Sequence, residues 1–316
     1  MPVDKAVRNI LENCMGIMNG EKLLIIADTK TQKLGFFFYE NASVLSKDIG
    51  FTVDLEIIEP TATDGAEPPK EVADLMKMYD IELFLTSNSM THTDARRNAS
   101  RNGARIASMP GITKEMIKRT LMADYNKVAE LTEKFAKNID GKNKIHIRTK
   151  KGTDLMLSMK NRSFEQDNGI YVDEGSCGNL PAGEVCGAPV ENSANGTLVI
   201  DGSMAPFGKV KEIKLKFKDG KVVSIVGDHS EELSKYLKTD NDRTIAELGI
   251  GTNMNAKLTG NVLEDEKILG TIHIAIGDNT SYPGGKNKSS IHFDGVVLEP
   301  TLLADGLCLI KHGKWL

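Results

Sequence analysis

The chain has 316 residues, of which 40% are hydrophobic and 27% are charged, and its formal net charge is -4. This length suggests two domains or one large one, and the composition is typical of a globular protein with a sizeable core. Because basic residues are mixed with acidic ones and aromatic residues make up only 5% of the chain, nucleic acid is not expected as a partner.

The sequence also argues against a membrane or secreted protein. No apolar run approaches the roughly 20 residues that a membrane-spanning helix needs, and the N-terminus lacks the features of a signal peptide. The four cysteines form no C-x-x-C pair, so we interpret them as reduced thiols of a cytoplasmic protein. Cys177 and Cys186 flank the loop around Glu184, but zinc–thiolate sites usually show closer pairing, and we do not expect ligands there.

Predicted helices and strands alternate in the first part of the chain. Apolar periodicity predicts helices at 3–18, 31–47, 68–79 and 95–102 and strands at 22–28, 51–59, 81–85 and 105–108. This alternation implies parallel strands with crossover helices on both faces of a sheet. Residues 113–138 read as one long amphipathic helix that connects two domains. We therefore predict a doubly wound α/β domain over residues 1–138.

The periodicity changes from residue 144 onward. Alternating residues on both sides of Lys150–Thr153 predict a β-hairpin, and a second hairpin turns at Asp219-Gly220, where the turn needs a positive φ. A short helix is predicted at 231–238, and strands dominate again up to Trp315. The second domain, residues 139–316, is therefore predicted to be mostly antiparallel β with a few helical insertions.

Most candidate metal ligands fall in the second domain, close together in sequence. In Thr271–Ile276 the isoleucines alternate, which places His273 and Ala275 on the opposite face of a strand. His292 and Asp294 are two residues apart, so on a strand they point the same way. Imidazole and carboxylate groups suit zinc, cobalt, manganese or iron.

Two glutamates stand in apolar, glycine-rich surroundings. Burying Glu184 or Glu247 without a partner would cost several kcal/mol, so each needs a cation or a hydrogen-bond donor. For Glu184 the alternative to a metal is a salt bridge to Arg162 or Arg243, and Asp265-Glu266 looks like an exposed acidic turn. Because these groups exceed the three protein ligands of a typical catalytic zinc, they suggest two ions that share a bridging carboxylate.

These motifs resemble those of the aminopeptidase T and aminopeptidase S family of metallopeptidases, over the whole chain. The resemblance is strongest at Gly152–Leu155, at Asn179–Glu184 and at His292–Asp294. It implies an enzyme that removes N-terminal residues from peptides, binds two zinc or cobalt ions and forms a homodimer. The metal ligands that it implies are Glu184, Glu247, Glu266, His273, His292 and Asp294. Glu247 would bridge the ions, Glu184 or Glu247 would move the proton, and Tyr282 matches the catalytic tyrosine.

An alternative is a ring-cleaving dioxygenase. The same fold is used by 2,5-dihydroxypyridine 5,6-dioxygenase, which holds mononuclear iron with two histidines and an aspartate, matched here by His273, His292 and Asp294. A third alternative is a binding protein that kept the fold without catalysis. The number of acidic groups leads us to favour the metal-dependent aminopeptidase.

Overall fold

The computed structural model describes residues 4–316, which form two compact units. The first unit contains the described residues up to Ala129 and the segment Asn168–Ala182; the second contains Glu130–Asp167 and Gly183–Leu316. The chain thus passes between the units three times. The domain boundary predicted after residue 138 stays a prediction, because compactness alone does not show which segments fold independently.

Helices and strands follow the predicted order closely. The helices are α1 Lys5–Arg8, continued by a π-helical segment Asn9–Cys14, α2 Gln32–Ile49, α3 Lys70–Met76, α4 Asp94–Arg101, α5 Lys114–Arg119, α6 Tyr125–Ile139, α7 Ser230–Tyr236 and α8 Val262–Asp265. The strands are β1 Lys22–Asp28, β2 Thr52–Ile58, β3 Ile81–Leu85, β4 Arg105–Ser108, β5 Lys144–Arg148, β6 Asp154–Ser158, β7 Glu165–Asp167, β8 Cys177–Asn179, β9 Glu184–Gly187, β10 Asn195–Ile200, β11 Ser203–Met204, β12 Gly208–Lys209, β13 Ile213–Lys218, β14 Lys221–Gly227, β15 Ile245–Gly251, β16 Ile272–Gly277, β17 His292–Val297, β18 Thr301–Ala304, β19 Leu307–Lys311 and β20 Lys314–Trp315. The predicted start of the first helix, at residue 3, lies outside the described residues.

The first unit is built on a parallel sheet with the strand order β2-β1-β3-β4-β8. Strand β1 is buried from Leu23 to Asp28, as its continuous apolar run predicts. The fifth strand, β8, comes from far along the chain, and Cys177 pairs with Ile106 of β4. The predicted parallel α/β architecture is confirmed, with one more strand than the sequence indicated.

The single helix predicted over residues 113–138 is wrong. Two helices, α5 and α6, occupy this region and are separated at residues 120–124. Asp124 Oδ1 accepts a hydrogen bond from the backbone N–H of Lys127 at 3.2 Å, the arrangement of a helix N-cap. A second helix therefore begins after Asp124, although the apolar periodicity alone shows no break there.

The second unit is a two-sheet β structure. One antiparallel sheet has the order β14-β13-β10-β6-β5-β18-β19-β20, and the other has the order β12-β11-β17-β16-β15-β9-β7. Apolar side chains from both sheets form one core, which α6 joins through Phe135 and Ile139. The predicted antiparallel second region is confirmed. No helix among residues 4–316 is long and apolar enough to cross a membrane.

Candidate metal centre

One face of the seven-stranded sheet carries the predicted ligands. Residues paired across antiparallel strands lie on the same face, and so do residues two apart along a strand. Gly249 pairs with His273, Ala275 with Asp294, and Gly277 with His292. Glu184 joins this face because it pairs with Gly251 of β15. The alternate positions, such as Ile274, point into the core.

A glycine makes room for the first histidine. A Cβ atom on Gly249 would lie 2.0 Å from both Cε1 and Nε2 of His273, so the imidazole ring lies directly over the glycine. The side chain of His273 is only 1% exposed. Gly249 therefore has no room for a side chain, and the glycines noted in the sequence around Glu247 have a specific packing role.

Glu247 contacts both histidines, one with each carboxylate oxygen. Its Oε1 lies 3.2 Å from His273 Nε2, and its Oε2 lies 3.0 Å from His292 Nε2. His273 Nε2 is also 3.3 Å from Glu184 Oε2, and His292 Nε2 is 3.5 Å from Asp294 Oδ1. This is the arrangement expected of a carboxylate that can bridge two ions.

The loop between β16 and β17 brings Tyr282 to the same cluster. The Tyr282 hydroxyl donates a hydrogen bond of 2.7 Å to Glu247 Oε2. Burial and the charge of Glu247 raise the pKa of Tyr282 well above its usual range. Tyr282 therefore keeps its proton at neutral pH and acts as a hydrogen-bond donor.

The turn that contains Glu266 is buried, contrary to the sequence-based expectation of an exposed acidic turn. Glu264 and Asp265 are fully buried, and Asp265 accepts hydrogen bonds from the backbone of Thr259 and Gly260 at 2.6 and 2.8 Å. Glu266 has a side chain that is 13% exposed. The expectation of an exposed turn is wrong because the Asp265 carboxylate binds the backbone of Thr259 and Gly260 and is buried there instead of pointing to solvent.

Lys267 is a site residue that sequence reasoning missed. Its Nζ lies 2.5 Å from Glu184 Oε1, 2.8 Å from Glu266 Oε1 and 3.9 Å from Asp167 Oδ2. The salt bridge considered for Glu184 as the alternative to a metal forms with Lys267 and not with Arg162 or Arg243; Arg162 binds Glu191 instead, at 2.6 Å. The one available signal was a lysine at the end of an acidic run, immediately before the apolar residues of the following segment.

Bound protons offset part of the negative charge of this cluster, as the pKa values of its members indicate. Burial disfavours a charged His273, but the hydrogen bond and the negative charge of Glu247 outweigh it and raise the pKa of His273 to about 10. Burial raises the pKa of Glu266 to about 8. Burial also opposes charge on Glu247, yet hydrogen bonds from His273 and His292 hold its pKa well below the usual range. These are the properties of groups that exchange protons for a bound cation.

Three sets of donors have the dimensions of a metal site. Within each set, one possible ligand atom per residue lies within 4.8 Å of the others; the sets are Glu184 with Cys186 and Glu247, Glu247 with His292 and Asp294, and Glu266 with His273 and Asp294. All seven residues predicted for the site lie together in this cluster, although their roles as ligands and catalysts stay a prediction. Cys186 is the member that the sequence analysis set aside.

Comparison with known proteins points to two kinds of enzyme. A family model described as NicX: 2,5-dihydroxypyridine 5,6-dioxygenase matches residues 3–316. The 2,5-dihydroxypyridine 5,6-dioxygenase of Pseudomonas putida is 26% identical over 234 residues, which are 67% of this chain and 65% of that protein. Aminopeptidase PepS of Streptococcus thermophilus is 28% identical over 196 residues, which are 53% of this chain and 48% of that protein. The chain thus aligns with less than two thirds of the length of either relative.

Solved structures show the same division and a shared fold. The structure of 2,5-dihydroxypyridine dioxygenase from Pseudomonas putida KT2440 matches with a TM-score of 0.83 and 18% identity, covering 100% of this chain and 98% of that one. Wild-type AmpT from Thermus thermophilus matches with a TM-score of 0.73 and 14% identity, covering 99% of both chains. The resemblance to aminopeptidases is thus supported by the weaker of these matches. Because the family model covers residues 3–316, the chain belongs to the family described as NicX: 2,5-dihydroxypyridine 5,6-dioxygenase.

Proposed function

We propose that the chain is a metal-dependent aminopeptidase with two divalent ions, and the charge of the cluster is the observation that carries this proposal. The cluster contains five carboxylates: Asp167, Glu184, Glu247, Glu266 and Asp294. Lys267 supplies one positive charge, so four negative charges would remain once bound cations had displaced the protons that Glu266 and the two histidines retain through their raised pKa values. Two divalent ions would balance them, whereas one would leave two negative charges in a buried region, which is costly.

The donor set fits such ions. Glu184 Oε2 and Asp294 Oδ1 are buried, make no hydrogen bond among the described residues and lie 3.3 and 3.5 Å from the Nε2 atoms of His273 and His292, so each can still accept a cation. Imidazole nitrogens and carboxylate oxygens are the usual ligands of zinc and cobalt in enzymes. When bound, the ions would polarise a peptide carbonyl and lower the pKa of a bound water.

The side chains of the cluster suit the remaining tasks of peptide hydrolysis. Glu184 or Glu247 would accept the proton of the attacking water and pass it to the leaving amine. Tyr282 would donate its hydroxyl hydrogen to the oxyanion that forms, and its raised pKa keeps that hydrogen in place. An acidic cluster also favours a substrate with a free N-terminal ammonium group. The proposal includes peptides as substrates, zinc or cobalt as the native ion and a homodimer in the cytoplasm.

Metal content and product release test the proposal together. Protein purified without added metal is expected to hold two zinc or cobalt equivalents per chain and to release leucine or alanine from short peptides. Glu184→Gln should abolish this release, whereas Glu232→Gln, which changes an exposed glutamate of the same unit, should not. Full peptidase activity in Glu184→Gln would contradict the proposal.

Family membership favours a second candidate, an iron-dependent ring-cleaving dioxygenase. The family description and the TM-score of 0.83 support it. His273, His292 and Asp294 would then supply the two histidines and one carboxylate typical of non-haem iron oxygenases. One iron per chain, with oxygen uptake when 2,5-dihydroxypyridine is added, would support this candidate and exclude the peptidase. A facial triad does not need Glu184, so the Glu184→Gln variant should then keep its activity.

A further inference from the structure

Cys186 lies on the metal-binding face of the sheet. It is two residues from Glu184 on β9, so both side chains point the same way, and it pairs with Gly249 on β15. The residue is only 5% exposed. A thiol that packs as a small apolar residue would face the core, but Cys186 faces carboxylates, since it groups with Glu184 and Glu247 within 4.8 Å.

The imidazole of His273 lies over Gly249, the residue that pairs with Cys186 on the next strand. Neighbouring strands of a sheet lie only about 4.8 Å apart, and Gly249 is the residue between Cys186 and His273 across the sheet. Because the His273 ring lies over Gly249, its Nε2 projects toward the strand of Cys186. Nε2 is 3.3 Å from Glu184 Oε2 and 3.2 Å from Glu247 Oε1, the same two residues that group with the thiol.

A second observation concerns Glu184, which is 7% exposed. Its Oε1 binds Lys267, whereas its Oε2 is buried without a hydrogen bond and lies 3.3 Å from His273 Nε2. A carboxylate oxygen is rarely left in this condition unless something else binds it. Glu184 Oε2 can therefore accept a cation, and Glu184 is grouped with the Cys186 thiol and Glu247 within 4.8 Å.

We propose that Cys186 Sγ is a ligand of the ion next to His273, together with Glu184 and Glu247. This inference rests on the proposed metal site, where Cys186, Glu184 and Glu247 would offer one sulfur and two oxygen donors, and His273 Nε2, next to both carboxylates, would be the fourth donor. The thiol would have to release its proton to solvent in order to bind a metal as a thiolate. Zinc sites with four protein ligands are closed, whereas catalytic sites keep an open position.

The two ions would then have different roles. Glu247, His292 and Asp294 would hold the other ion with three protein ligands and leave a position open, beside the Tyr282 hydroxyl that is hydrogen-bonded to Glu247. Substrate and the attacking water would bind there. The ion at Cys186 would hold the bridging carboxylate in place and would prefer thiophilic metals such as zinc, cobalt and cadmium over magnesium.

Cobalt spectroscopy of the full chain tests this assignment without relying on activity. Metal-free protein is titrated with Co²⁺, and two signals are followed: the visible d–d bands, which any protein-bound cobalt gives, and the near-ultraviolet sulfur-to-cobalt charge-transfer band. Cys186→Ser should lose the charge-transfer band and keep the d–d bands. Cys308→Ser, a matched change in the other sheet of the same unit, should keep both.

The outcomes separate the assignment from the proposed function. Visible bands without a charge-transfer band in the wild type, or an unchanged charge-transfer band in Cys186→Ser, would overturn the assignment but leave the metal site intact. A wild type that binds no cobalt would overturn both. If Cys186→Ser does not fold, Cd²⁺ titration of a variant in which Cys14, Cys177 and Cys308 are all replaced by Ser decides, since a cadmium–thiolate absorption band there supports the assignment and its absence overturns it.

Discussion

The close approach of Gly249 and His273 gives the sharpest test of the metal centre. In Gly249→Ala the new Cβ would start 2.0 Å from Cε1 and Nε2 of the imidazole, whereas ordinary contact begins at 3.4 Å. The ring must therefore move by about 1.4 Å, while metal–ligand distances are held to about 0.2 Å. We expect His273 to be lost as a ligand and the metal affinity to fall at least about tenfold, at the lower end of what perturbing ligand support costs.

The assay separates this effect from general destabilisation. Overpacking a core position costs about 1–3 kcal/mol, so the unfolding free energy of metal-free Gly249→Ala should fall by that amount in urea denaturation. Gly35→Ala is the matched control, because its Cβ would lie 2.7 Å from Ala27 Cβ in the first unit, which contains none of the metal-site residues. The control should be destabilised and bind metal normally in equilibrium dialysis.

One result would refute the reasoning. If folded Gly249→Ala binds metal with the affinity and stoichiometry of the wild type, then His273 is not a ligand. Glu247 would then not bridge two ions, because the carboxylate oxygen that faces His273 would have no ion to share with it.

Three further predictions concern single side chains. Tyr282→Phe should lower kcat by about 10²–10³ with unchanged metal content, because it removes the donor for the oxyanion; steady-state kinetics beside Tyr236→Phe, an exposed tyrosine, measure this, and an unchanged kcat would remove Tyr282 from the mechanism. Lys267→Met should lower the unfolding free energy of metal-free protein by about 3–5 kcal/mol in urea denaturation, since it leaves Glu184 and Glu266 buried without their cation. A loss of unfolding free energy no larger than that of a variant at an exposed lysine would contradict this. Glu82 is buried in β3 with both carboxylate oxygens unpartnered, and burial raises its pKa well above the usual range, so the folded state keeps a proton that the unfolded chain releases above about pH 4.3. Glu82→Leu should therefore be more stable than the wild type by a margin that grows by up to about 1.4 kcal/mol per pH unit above that pH, until the folded pKa is reached; a margin that is constant between pH 5 and 8 would show that Glu82 is ionised in the folded protein.

Local periodicity was enough to place part of the site. The alternation of Ile272, Ile274 and Ile276 correctly placed His273 on the other face, since a strand leaves side chains only two directions. The same rule put His292 and Asp294 side by side. These inferences succeeded because they depend on neighbours along the chain.

Features that depend on distant residues could not be read in this way. Lys267 meets Glu184 across 83 positions of sequence, and nothing near either residue specifies the other. The three-residue strand β8 is too short to show a period, so its place beside β4 was not predicted. Cys186 was set aside by a rule on sequence spacing, which does not consider donors that come from different strands.

The late arrival of β8 has a consequence for how the chain folds as it is made. During synthesis, the outer edge of β4 has no partner until residues Cys177–Asn179 have emerged, some seventy positions after Ser108. Until then, a row of backbone amides and carbonyls is open to pairing with another chain. A ribosome that pauses between these two points would prolong the time for which this edge is unpaired, and a fragment that ends before Cys177 would lack the strand that covers it.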